Sequence, residues 1–199
     1  DRAWSAFENI EGAKWLGVFE ALGAGQMTDD GIKVMRLMTD QHDNWSAFYT
    51  TRRQLFDEYN NNIATLPPAK SRTPDQQLQA KAWWDETNQK LNADYIDAVL
   101  EEDRLQTQFD DLFAEQYGRQ FSGESGRFAG GAQTWRGAVR DSRRKMAAAM
   151  TVYRTGSYPQ AMLDAWGEVL TGEQMAYLQQ INKGQPIYQM MPADRAQAQ

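Results

Sequence analysis

"MRLMTDQHDNWSAFYTTRRQLFDEYNNNIATLPP", residues 35 to 68, is the stretch that decides the fold. Side chains recur along it at alternating spacings of three and four residues, at Met35, Met38, His42, Trp45, Tyr49, Arg52, Phe56, Tyr59, Ile63 and Leu66. This alternation is typical of a coiled-coil seam, along which one helix packs lengthwise against another. Thr28 can cap the start of the helix, and the prolines at 67 and 68 predict its end. We therefore expect one long helix over residues 28–66.

The next segment of the chain predicts the helix that packs against this seam. Thr73 provides a cap, Pro74 suits the first helical position, and nothing breaks the pattern before Gly118. The same alternation continues here, at Trp84, Asn88, Leu91, Tyr95, Ala98, Glu102, Leu105, Phe109, Leu112 and Gln116. Two long helices joined by a Pro-rich turn predict an antiparallel helical hairpin, with arms roughly 60 Å long at 1.5 Å per residue. The predicted fold class is all-α, an elongated helical bundle built on this hairpin with additional C-terminal helices.

Glycines and prolines divide the chain into five predicted segments. These are an N-terminal amphipathic helix at 1–25, the hairpin at 26–117, a flexible Gly-rich linker at 118–131, C-terminal helices that pack on the hairpin at 132–185, and a tail at 186–199. The residues predicted to face inward from the C-terminal helices are Trp135, Val139, Met146, Ala149, Tyr153, Met162, Ala165, Trp166 and Val169. Thr171 and Gln174 stand at the spacing of a capping box, which predicts a new helix start there.

Composition and charge limit the function classes. The formal net charge is −6 and the isoelectric point is near 4.9, which argues against general affinity for nucleic acid. No run approaches the roughly 20 apolar residues of a membrane span. The chain has no cysteine, so neither a disulfide nor a thiolate metal site can form. It begins with Asp1 rather than Met, and a processed periplasmic or secreted protein is one explanation.

The residues that usually perform catalysis are sparse. His42 is the single histidine and lies on the predicted seam, where a packed or interface side chain is the expected role. A dimetal carboxylate bundle needs two Glu-x-x-His pairs, and the chain has none. Glycoside hydrolysis can proceed without histidine on a pair of carboxylates, but no pair stands out among candidates such as Glu11, Glu20, Glu101 and Glu102. We expect no enzyme activity, no cofactor and no metal.

The strongest local charge feature is a basic run formed by Arg136, Arg140, Arg143, Arg144 and Lys145. It could bind phosphate, but the neighbouring helix of the hairpin carries many acidic residues, so pairing within the molecule or between subunits is favoured. Side-chain amides are also frequent, with "NNN" at 60 to 62. Amides on helix surfaces can hydrogen-bond to a neighbouring subunit without burying a charge, although a solvent-facing role is equally consistent.

Four stretches in succession resemble a known family. They are "QLFDEYNNNIATLP" (54 to 67), "FDDLFAEQYG" (109 to 118), "WRGAVRDSRRKMAAAM" (135 to 150) and "TGEQMAYLQQINKGQ" (171 to 185). This order is similar to that of the minor pilins of type IV secretion and conjugative transfer systems, over roughly residues 50 to 185. The resemblance implies export to the periplasm, no catalysis, and contacts with other protein subunits of a secretion or conjugative-pilus assembly.

Three alternative functions stay open at this point. The "LTGEQ" of residues 170 to 174 matches once a motif of periplasmic helical chaperones. A structural component of a virion or other large particle fits an elongated hairpin equally well. A cell-wall glycoside hydrolase is the least favoured alternative, because no carboxylate pair is singled out.

The two ends of the chain are the predicted partner-binding segments. Apolar and aromatic residues at the ends of a chain are costly to expose to water, at about 25 cal/mol per Å² of apolar surface, and aromatics and Met are enriched at interfaces. The residues concerned are Trp4, Phe7, Trp15, Phe19, Ile187, Tyr188, Met190 and Met191. We expect them to bind other protein subunits, which includes the possibility of a homo-oligomer.

Overall fold

The computed structural model describes residues 29–121 and 131–181, with side chains over 32–112 and 137–181. Five α-helices lie in this part of the chain: α1 (Asp29–Ala64), α2 (Pro74–Phe121), α3 (Gly131–Thr155), α4 (Gln160–Trp166) and α5 (Gly172–Ile181). One turn of 3-10 helix, Ala69–Ser71, connects α1 to α2, and no strand occurs among the described residues. The predicted all-α fold and its helical hairpin, formed by α1 and α2, are confirmed.

Local capping explains how the hairpin turns. The Thr73 amide donates to the side-chain oxygen of Gln76 at 3.0 Å, and the Gln76 amide donates to the Thr73 hydroxyl at 3.3 Å. This reciprocal pair is a capping box, which satisfies two backbone donors at the start of α2. Arg72 closes the turn from the other side, because its Nε donates to the carbonyl of Pro67 at 2.9 Å. The predicted cap at Thr73 is therefore confirmed.

Helix α2 is longer than the sequence indicated. Its predicted end was residue 117, just before Gly118, but the helix continues to Phe121. An isolated glycine inside a helix costs only about 1 kcal/mol relative to alanine, and a long helix tolerates that cost. The prediction of a break at Gly118 is wrong for this reason.

The described residues form two compact units. The first combines residues 29–49 with 101–121 and 131–140, and the second combines 50–100 with 141–181. Each of the two long helices contributes one part of its length to each unit. The core of each unit can therefore be described separately.

Apolar side chains from both hairpin helices build the core of the first unit. Leu37, Met38 and Phe48 of α1 are buried, as is Leu105 of α2. The Phe48 ring packs edge-on against Trp45, with ring centroids 5.8 Å apart. Aromatic pairs in this arrangement stabilise a core by about 0.5–1.5 kcal/mol beyond the area they bury.

The second unit is built around Trp84, whose side chain is 1% exposed. Its ring centroid lies 5.1 Å from that of Tyr59 and 6.1 Å from that of Phe56. A smaller cluster of Ala148, Val152 and Leu170 also lies in this unit, and α5 packs on it through Met175 and Leu178. All described seam residues predicted for α1 and α2 are buried or half-buried, so the predicted seam is confirmed.

Two residues of the C-terminal helices do not face inward as predicted. Met146 is 67% exposed and Ala165 is exposed. The buried face of α3 is instead formed by Ala148, Thr151 and Val152. Met146 lies two residues from Ala148, which is about 200° around the helix, so burial of Ala148 leaves Met146 on the outer face. These two predictions are wrong.

Candidate functional site

The predicted partner-binding residues of the two chain ends lie outside the described residues. They are Trp4, Phe7, Trp15, Phe19, Ile187, Tyr188, Met190 and Met191. Their role stays a prediction.

A cluster of polar side chains lies within the seam of the first unit. The Gln41 amide nitrogen donates to Glu102 Oε1 and to Gln106 Oε1, both at 3.0 Å. Trp45 Nε1 donates to Glu102 Oε2 at 3.1 Å, and Gln106 Nε2 donates to Asp110 Oδ1 at 2.9 Å. Because both oxygens of Glu102 accept hydrogen bonds across the hairpin, this polar seam cluster holds α1 and α2 in register.

Two of the carboxylates considered for glycoside hydrolysis, Glu101 and Glu102, have other partners, whereas Glu11 and Glu20 lie outside the described residues. Arg104 Nε donates to Glu101 Oε2 at 2.7 Å, and this hydrogen bond lowers the pKa of Glu101, with a smaller opposing effect of burial. A general acid for glycoside hydrolysis needs a raised pKa instead. Glu102 belongs to the polar seam cluster. His42 is half-buried on the seam, as its spacing predicted.

The described helices contain neither a metal-binding cluster nor a membrane span. Within residues 29–121 and 131–181, no group of three or more His, Asp or Glu side chains could hold a metal ion. Among the helices described, none is both long enough and apolar enough to cross a bilayer.

The basic run lies on α3 and has at least one aromatic contact. The guanidinium carbon of Arg144 lies 5.8 Å from the centre of the Trp166 ring, within the range of a cation–π interaction. Arg140 is half-buried, and the side chain of Arg136 lies outside the described side chains. The pairing of this run with the acidic residues of α2 stays a prediction.

Two helices of the second unit expose large apolar side chains in pairs. On α3, Met146 is 67% and Met150 is 50% exposed, while on α5, Tyr177 is 64% and Ile181 is 51% exposed. Each pair is spaced four residues apart, so its members stand one turn above each other on one helix face. We call these pairs the outer apolar rows. The sequence did not single them out, because Met146 was assigned to the core.

A polar groove is the second candidate site of this unit. It has a volume of about 590 Å³ and is lined by Lys81, Asp85, Asn88, Gln89, Asn92, Ala93, Ile96, Thr155, Ser157 and Pro159. One wall is therefore a stretch of α2, and the other is the turn that follows α3. Lys81 forms an ion pair with Asp85. The sequence predicted Asn88 as a seam residue and did not predict the groove.

The wall that follows α3 is fixed by backbone geometry and by one ring contact. Gly156 adopts a left-handed φ of 78°, which favours glycine, and its amide donates to the Val152 carbonyl at 2.7 Å, so α3 ends there. The Arg154 guanidinium carbon lies 3.5 Å from the centre of the Tyr95 ring on α2. Both residues are buried, and their contact joins α2 to the end of α3.

The chain was compared with models of protein families, with curated proteins and with solved structures, and none of the three comparisons found a match.

Proposed function

We propose that this protein is a non-enzymatic structural subunit of a secretion or conjugative-pilus assembly and that it binds other protein subunits. The observation that carries the proposal is the pair of outer apolar rows on α3 and α5. The resemblance of residues 50 to 185 to minor pilins supports the class of assembly and a periplasmic or extracellular location.

The energetics of the outer apolar rows favour a bound partner. Full burial of a Met or Ile side chain contributes roughly 1.5–3 kcal/mol, and each side chain of the rows has half or more of its surface available for that burial. Met and aromatic residues are enriched at interfaces, since Met adapts to an irregular partner and Tyr adds a polar end to an apolar ring. Aligned pairs on one helix face provide a continuous contact surface, which scattered apolar residues do not.

The test compares a variant of the rows with a matched control in cells that produce the assembly. The double variant Met146→Gln, Met150→Gln removes one row, whereas Leu78→Gln changes an equally exposed apolar residue that lies on α2 outside the rows. We expect the wild-type chain and Leu78→Gln to be present in sheared filaments. The double variant should be at least tenfold less abundant there, although circular dichroism should show that its helical content is unchanged.

Three results would contradict the proposal. The chain could be absent from purified filaments, be present in them regardless of the Met substitutions, or purify instead with virion particles. Suppression of aggregation of an unfolded client by the free chain, without incorporation into filaments, would support the chaperone alternative instead.

A further inference from the structure

A groove lies between α1 and α2 in the first unit. We call it the hairpin groove; its volume is about 410 Å³, and it is lined by Lys33, Arg36, Leu37, Gln108, Asp111 and Leu112. Its two leucines are buried or half-buried, whereas its four polar residues are exposed. The groove is therefore an apolar strip with polar edges, open to solvent. Ile32, which is 38% exposed, lies one helical turn from Arg36 and extends the apolar surface.

We propose that the hairpin groove binds the N-terminal segment of the same chain, residues 1–22, as a helix that runs antiparallel to α1. Trp15 and Phe19 of this segment fill the groove. They stand four residues apart in the sequence, so a helix presents both on one face. Cavities of about 300–1,000 Å³ enclose ligands larger than an aromatic ring, so the groove has room for these side chains.

The connection between this segment and α1 has the length of a turn between antiparallel helices. The helical pattern of the segment ends at Leu22, Gly23 and Gly25 follow, and α1 begins at Asp29. Residues 23–28 therefore form a connection of six residues. Neighbouring antiparallel helices in bundles are joined by about 2–8 residues, so the segment can reverse direction and lie along α1.

The register of such a helix pair brings Trp15 and Phe19 level with the groove. The groove residues of α1 lie between Lys33 and Leu37, about 6–12 Å from the start of the helix at 1.5 Å per residue. Phe19 and Trp15 lie about 4.5 and 10.5 Å before Leu22 on the same scale. Trp4 and Phe7 lie about 22–27 Å before Leu22, which is beyond the groove.

The charges of the segment and of the groove are complementary. The groove is lined by two basic residues and one acidic residue, which leaves one excess positive charge. The segment has two excess negative charges, because it contains four acidic and two basic residues, namely Asp1, Glu8, Glu11 and Glu20 against Arg2 and Lys14. Opposite charge on two surfaces favours their association and disfavours wrong partners.

The covalent connection favours the chain's own segment over that of a second copy. A segment joined to its site by a short linker has an effective concentration of about millimolar. A second copy in a dilute solution is far less concentrated, so the segment of the same chain occupies the groove first.

This proposal goes beyond the proposed function. It assigns Trp15 and Phe19 a binding site within the chain, whereas the sequence predicted that they bind other subunits. Trp4 and Phe7 stay available to another subunit. Because the hairpin groove and the outer apolar rows are formed by different residues, the two proposals can fail separately.

The first test compares two variants that lose the same pair of side chains. Trp15→Ser, Phe19→Ser removes the residues proposed to fill the groove, and Trp4→Ser, Phe7→Ser is the matched control. A docked helix suppresses local opening of the residues it covers. We expect amide hydrogen exchange in residues 30–40 to become at least tenfold faster in the first variant and to stay near that of wild type in the control. Circular dichroism shows that both variants remain helical.

The second test fixes the register by crosslinking. The chain has no native cysteine, so every crosslink comes from an introduced pair. Leu16 lies about 9 Å before Leu22, which brings it level with Arg36, whereas Arg53 lies about 36 Å from the start of α1. A short bismaleimide should join Leu16→Cys to Arg36→Cys within one chain, at a rate that does not depend on protein concentration. The pair Leu16→Cys, Arg53→Cys should react at least tenfold more slowly.

Four outcomes would overturn the proposal. These are equal hydrogen exchange in the two aromatic variants, absence of the crosslink to Arg36→Cys, an equally fast crosslink to Arg53→Cys, and crosslinks to Arg36→Cys that form only between copies. The last outcome would assign the groove to the N-terminal segment of a second copy instead.

Discussion

The polar seam cluster and the α2 wall of the polar groove use the same kinds of side chain in opposite ways. In the seam cluster of the first unit, Gln41 reaches two acceptors, and both oxygens of Glu102 accept hydrogen bonds. On the α2 wall of the groove, in the second unit, one buried amide atom each of Asn88 and Asn92 makes no hydrogen bond within the described residues. The difference shows that a buried amide stabilises a fold where its partners belong to the chain. Where they do not, it lowers stability.

The largest expected effect is at Gln41 in the seam cluster. Replacing Gln41 with Met keeps the side-chain length but removes the donor to Glu102 and Gln106. Hydrogen bonds to charged groups contribute about 1.5–3 kcal/mol each, so we expect the free energy of unfolding to fall by about 2–3 kcal/mol. Chemical denaturation followed by circular dichroism measures this change.

The control for Gln41 is Gln79→Met at an exposed position of α2, which should change stability by less than about 0.5 kcal/mol. If Gln41→Met changed the free energy of unfolding as little as this control does, the seam cluster would not contribute to the stability of the fold.

A substitution at Asn88, on the α2 wall of the groove, should change stability in the opposite direction. Asn88→Leu removes a buried, unbonded amide and adds apolar contact, so we expect the free energy of unfolding to rise by about 1–2 kcal/mol. The same denaturation experiment applies, with Asn60→Leu as an exposed control. A loss of stability in Asn88→Leu would mean that the amide already has a partner in the folded protein.

The smallest expected effect is a pH dependence of the folding stability that arises from Glu101 in the first unit. The hydrogen bond from Arg104 lowers the pKa of Glu101 below its ordinary value of 4.5. A group with a lowered folded pKa stabilises the protein above its unfolded pKa, and that contribution is lost as pH falls through the folded pKa. The ion pair is largely solvent-exposed, so the effect should stay below about 1 kcal/mol.

The measurement for this third prediction is the stability of wild type and Glu101→Gln at pH 7 and at pH 3. The difference between the two proteins should be present at pH 7 and shrink toward pH 3. A difference that grows at low pH would contradict the direction of the pKa shift.

Several features of this fold follow from local sequence alone. The alternating spacing of Met38, Tyr59 and Leu91 specifies which face of each long helix is buried, because helical periodicity fixes the angular position of a side chain. The helix starts at Thr73 and near Thr171 follow from capping boxes, which act within four residues. Interactions of such short range do not depend on contacts with distant parts of the chain.

Other features were decided only by tertiary structure. Met146 and Val152 are both apolar residues of α3, yet one is 67% and the other 1% exposed, because the packing partner selects the face that is buried. Asn88 belongs to the predicted seam of α2, whereas Gln41 does not belong to the predicted seam of α1, and yet both polar side chains are buried. Whether the amide nitrogen of each side chain is hydrogen-bonded depends on whether an acceptor from another part of the chain lies within about 3 Å, as Glu102 does for Gln41. Sequence periodicity specifies the buried face of the two long helices, but the buried face of α3 and the partners that buried side chains meet are set by the three-dimensional packing of distant segments.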